Sequence, residues 1–75
     1  ELLYAAVKYV VDKAMNTKGE LMTVPAAPIR RLFPHEYIRA NCIVAWLGLE
    51  DCVFTRGQGK VILYLGCVRE KLGLV

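Results

Sequence analysis

The chain contains no serine and a single histidine, His35. These shortages remove most nucleophilic chemistry, because a hydroxyl or thiol nucleophile needs a base within hydrogen-bond reach. Cys42 follows His35 by seven residues and lies on a similar face of one helical segment. Its apolar neighbours argue for a buried thiol, whereas a reactive cysteine needs an exposed, electropositive site. His35 with Cys42, Cys52 and Cys67 has none of the close spacings of a metal site. Gly57-Gln58-Gly59-Lys60 falls inside a hairpin pattern and not before a helix, so it is no phosphate-binding loop. No enzyme, metal or cofactor is expected.

Three cysteines form an odd set with no CxxC pair. A disulfide-stapled secreted module favours an even set, so all three are read as free thiols acting as small buried hydrophobes. That reading implies a reducing compartment, cytoplasm or nucleus. Long apolar runs are also missing. Residues 42–49 and 61–68 are the longest, at about eight, against the roughly twenty of a membrane span. No signal-peptide pattern opens the chain, and a soluble protein without a membrane partner is expected. Internal repeats and low-complexity tracts are absent. The first residue is Glu1 and stands inside a helical pattern, so residues 1–75 read as one domain, whole or cut from a longer protein.

What the chain has is apolar mass: 56% of its 75 residues are hydrophobic. A domain this small buries only about 60% of its unfolded surface and needs a dense core; disorder is excluded by the same composition. The net charge of +3 is modest, so its distribution matters more. Residues 1–27 balance, while Arg30, Arg31, Arg39, Arg56 and Lys60 outnumber Glu36, Glu50 and Asp51 downstream. No acid lies between Asp51 and Glu70. A local basic surface of this kind fits a phosphate-bearing partner.

Apolar periodicity supplies the elements. Leu3, Val7, Val10 and Ala14, with Ala6 and Val11 beside them, recur at helical spacing and predict an amphipathic helix of about fourteen residues. Residues 20–24 read as a short strand stopped by Pro25. Pro28 is suited to open a second, short helix with Ile29, Leu32 and Phe33 inward, limited by Pro34. A third helix is predicted over 35–47, with Ile38, Cys42, Ala45 and Leu49 as its buried stripe, Trp46 widening it and Gly48 capping its end. Residues 53–65 then alternate as a β-hairpin, with Gly57 and Gly59 at the tip and Arg56 and Lys60 beside it. A lone first strand needs these two as partners, which gives a three-stranded antiparallel sheet. Val68 and Leu72 close the chain as a last helical turn or as a linker.

The order helix, strand, helix, helix, strand, strand resembles that of winged helix-turn-helix domains: α+β, a three-helix core with a small three-stranded antiparallel sheet. The resemblance is one of architecture over nearly the whole chain. The second helix departs from it in being very short, and Ile43 and Leu47 put apolar residues on a face of helix three that such domains often keep polar. The resemblance implies binding of duplex DNA, in transcription regulation, replication or partition. The start of the third helix would lie in the major groove. His35, Glu36 and Arg39 would then face base edges, Arg39 donating to guanine and Glu36 accepting from cytosine. Arg30 and Arg31 would meet phosphates, and Arg56, Gln58 and Lys60 would form a basic wing. Asn41 either reads adenine or bonds backbone; Tyr37 either reaches a phosphate or packs over helix two. A winged helix that docks a protein partner or a second copy of itself, without DNA, is the alternative.

Overall fold

The structure, a computed structural model, describes residues 2–74. It is α+β: four helices and a three-stranded antiparallel sheet. Helix α1 (Leu2–Asn16) buries Ala6, Val10 and Ala14, spaced by four, while Leu3 is 50% exposed. The small side chains at positions 6 and 14 select this stripe over the bulkier one centred on Leu3 and Val7. The helix end is closed from far along the chain. The Arg69 guanidinium donates to the carbonyls of Ala14 (3.0 Å) and Thr17 (3.0 Å). Those carbonyls have no intrahelical partner, and a cation there suits the helix dipole.

Strand β1 (Leu21–Val24) turns Met22 and Val24 inward. Helix α2 (Ala26–Leu32) starts after Pro25 as its N-cap, earlier than the expected start at Pro28. Pro28 costs nothing there, because N–H groups of a first turn lack helical acceptors anyway. Ile29 and Phe33 enter the core, and Leu32 does not.

Helix α3 (Ala40–Trp46) is about half the length expected over 35–47. Residues 33–39 form a turn followed by extended backbone, with Arg39 as N-cap at φ −118° and ψ 167°. Extended backbone there lets Ile38 pack on the core from outside the helix, while Ala40, Ile43 and Val44 are buried from within it. The expected stripe holds at Ile38 and Leu49 and fails between them: Cys42 is half-buried, Ile43 is buried, and Ala45 and Trp46 face outward. Gly48 does cap the helix. At φ +70° its amide bonds the Ala45 carbonyl (3.2 Å), and the Leu49 amide bonds that of Val44 (2.9 Å), a Schellman motif.

A 3-10 turn, Glu50–Cys52, leads into β2 (Val53–Gly57), β3 (Lys60–Tyr64) and α4 (Leu65–Lys71). The sheet order is β1-β3-β2, with β3 central and both pairings antiparallel. Phe54 is the extra residue of a bulge between the Val53–Leu63 and Thr55–Ile62 pairs. Gln58 (φ 52°) and Gly59 (φ +80°) are both left-handed between the paired Gly57 and Lys60. This is the two-residue type I′ turn that matches strand twist.

Met22, Val24, Val61 and Leu63 of the sheet's inner face meet buried residues of all four helices. No polar side chain is fully buried among the described residues. The outer sheet face is uncovered: Phe54 is 52% and Tyr64 46% exposed, their rings edge to face at 5.3 Å. Among the described residues no helix is long and apolar enough to cross a membrane.

Cys52 and Cys67 are joined in a disulfide, Cα–Cα 5.5 Å, that ties the 3-10 turn to α4; Cys42 is free. The expectation of three free thiols is corrected. The apolar neighbours that argued for buried thiols are equally the surroundings of a buried bridge. The argument for a reducing compartment, which rested on those thiols, falls with it.

Candidate nucleic-acid interface

The short α2, the 33–39 turn and the hairpin tip converge at one end of the molecule. Ile29, Phe33, Ile38 and Ala40 floor a cleft of about 270 Å³ there, and Arg30, Glu36, Tyr37 and Arg39 stand around it. Gly59 closes the remaining side. A Cβ at this glycine would lie 3.3 Å from that of Ala26, so the tip leans on α2.

The residues expected to contact DNA divide into those brought to this end and those placed elsewhere. Arg30 and Arg39 share the cleft, although Arg39 is the N-cap of α3 and not a residue of its first turns. Its guanidinium lies over the Tyr37 ring, 4.5 Å from the centroid, a favourable cation–π arrangement. Tyr37 does not pack over α2; it is 84% exposed. His35 and Glu36 are exposed in the turn after Pro34 and are not on the third helix, which corrects their expected place at base edges. Arg31 is exposed and does not line the cleft; its charge acts on Tyr9 of α1.

Arg56 is the largest departure in the hairpin. It pairs with Val61 on the inward side of the sheet and reaches α3 instead of the wing tip. Its Nε donates to Asn41 Oδ1 at 2.8 Å, and its Nη2 is ion-paired with Glu50. Asn41 thereby has a partner that is neither base nor backbone. Gln58 is exposed at the apex, and Lys60 is exposed beside it.

Electrostatically, the cations sort by their partners. Lys8, Arg56 and Lys71 are paired with Asp12, Glu50 and Asp51, and Arg69 is spent on the end of α1. Arg30, Arg31, Arg39 and Lys60 form no ion pair among the described residues, and neither do Lys13 and Lys18 at the far end of α1. An exposed, unpaired cation keeps its full attraction for phosphate. Burial raises the Tyr9 pKa, and the Arg31 charge partly lowers it again.

Sequence reasoning missed the cleft, the Tyr37–Arg39 stack and the anchoring of Arg56. Pro34 and the β-branched Ile38 favour a late start of the third helix but do not outweigh the helical period of residues 35–47. Comparison with family models, curated proteins and solved structures finds no match to this chain.

Proposed function

We propose that this chain is a winged-helix module that binds duplex DNA chiefly through its phosphates. The observation that carries the reading is a group of cations, Arg30 and Arg39 on the cleft and Lys60 next to Gly59 at the hairpin tip, that form no ion pair among the described residues. The sheet order β1-β3-β2, with α1 before β1 and α2 and α3 before the β2–β3 hairpin, agrees with the winged-helix layout. Exposed α3 presents Asn41, Ala45 and Trp46 and no cation, and the Asn41 amide is already engaged. Base readout is accordingly slight; phosphate contacts position a protein but carry no sequence information.

The test is charge reversal. Arg39→Glu with Lys60→Glu lowers the affinity for a mixed-sequence duplex and reduces the slope of log affinity against log salt by about 2. Reversal of Lys8 and Lys71, both already ion-paired, leaves the slope unchanged. Equal losses in the two variants would mean that net charge alone acts.

A second reading rests on the outer sheet face. Leu21, Phe54 and Tyr64 are exposed there beside Ile62, and an apolar patch of this kind marks protein contact surfaces. Phe54→Lys abolishes any self-association seen by light scattering on this reading, and leaves DNA binding untouched on the first.

A further inference from the structure

The residues that separate α2 from α3 make this connection longer than the three or four of a helix-turn-helix. They wrap the cleft: Phe33 and Ile38 form its floor, and Tyr37 and Arg39 its rim. We propose that the cleft binds a small organic anion with an apolar body, a carboxylate attached to one ring or a short branched chain. Ile29, Phe33 and Ala40 are close to fully buried and fix the base of the cleft, while half-buried Ala26 and Ile38 with exposed Pro34 and Tyr37 present its apolar surface. A cleft of about 270 Å³ lies just below the usual range of small-molecule sites and admits a single ring. Arg30 and Arg39 give two planar guanidinium groups at the rim, and such groups bind carboxylates in a bidentate fork. Neither pairs with Glu36, which lines the same cleft, nor with any other acid among the described residues. An uncharged apolar guest would leave both cations unused, and a bare anion would leave the apolar surface of Pro34, Tyr37 and Ile38 wet.

On the reading of this end as a DNA surface, a ligand here withdraws Arg30 and Arg39 from phosphate, so the anion and the duplex compete. That consequence rests on the DNA reading; the site itself does not.

The experiment is amide chemical-shift mapping with phenylacetate as the probe, and with acetate and 2-phenylethanol as isolated halves of it. Phenylacetate, at about ten non-hydrogen atoms, is expected to bind with a Kd on the order of 1 mM. Shifts are expected at residues 29, 30, 33, 38–40 and 59. Arg30→Gln and Arg39→Gln, both at exposed positions and each checked for folding by its own spectrum, weaken binding about tenfold. Glu36→Gln strengthens it. Equal response to acetate would reduce the site to a bare anion patch, and equal response to 2-phenylethanol to a greasy hollow. Either outcome, or shifts elsewhere, overturns the proposal. Anisotropy with a labelled duplex runs in parallel: DNA binding without cleft shifts sinks the ligand site alone, and cleft shifts without DNA binding sink the DNA reading alone.

Discussion

Reducing the Cys52–Cys67 bridge should remove a large share of this domain's stability. The two residues are separated by 15 positions, and closing a loop of that length stabilises the fold by about 3 kcal/mol in the chain-entropy treatment. The loop holds the whole β2–β3 hairpin, so a reduced, unfolded chain gains freedom over just the segment that carries Gln58 and Lys60. A 75-residue domain has roughly 4–11 kcal/mol in total, and the bridge is thus about a quarter or more of it. Urea unfolding followed by far-ultraviolet circular dichroism, with and without a phosphine reductant, measures the effect. With a slope of about 1 kcal/mol/M for a protein of this size, the midpoint should fall by about 2–3 M. A denatured, unreduced sample should show one reactive thiol, Cys42, and a reduced sample three. Three thiols before reduction, or coincident unfolding curves, would refute the reasoning.

Two further substitutions test the packing. The Tyr9 hydroxyl is buried without a hydrogen-bond partner, so Tyr9→Phe should stabilise the fold by about 1 kcal/mol, roughly 4–8 °C in a thermal melt. Burial also raises the Tyr9 pKa above its ordinary 10.0, and the folded state therefore holds this proton more tightly than the unfolded one. That contribution is complete below pH 10.0 and is lost as pH rises through the raised folded value; the Phe variant should lack this alkaline loss. At the hairpin tip, Gly59→Ala must adopt φ +80° and meet Ala26 at 3.3 Å. It should cost about 1–2 kcal/mol in urea unfolding, while Gln58→Gly, already left-handed at φ 52°, should cost nothing.

The order of the elements was legible because periodicity and punctuation agree: Pro25, Pro34 and Gly48 stand at or next to real boundaries. The sheet followed from a lone strand needing partners, and β1 did find β3. The start of α3 was not legible. Residues 35–47 satisfy a helical period as well as the true arrangement does, and only tertiary burial of Ile38, Ala40 and Ile43 decides between them. The disulfide was hidden for a related reason, since Cys52 and Cys67 come together only once α4 folds back on the 3-10 turn. Within the candidate site, Arg30, Arg39 and Lys60 were identified as surface cations from charge balance alone. The capture of Arg56 by Asn41 and Glu50 was not, because it depends on where long side chains end. Arg69 bracing Ala14 and Thr17 from the other end of the chain has no local signature at all.

The central claim is that this end of the molecule engages DNA phosphates. Fluorescence anisotropy of a labelled mixed-sequence duplex, titrated with the protein at two salt concentrations, tests it most directly. Contacts by Arg30, Arg39 and Lys60 give an expected slope near −2.7, a loss of affinity of about fortyfold between roughly 50 and 200 mM salt. Binding that weakens with that steepness is the predicted result. No binding at the lower salt, or binding indifferent to salt, would contradict the account and leave the uncovered sheet face as the surface to pursue.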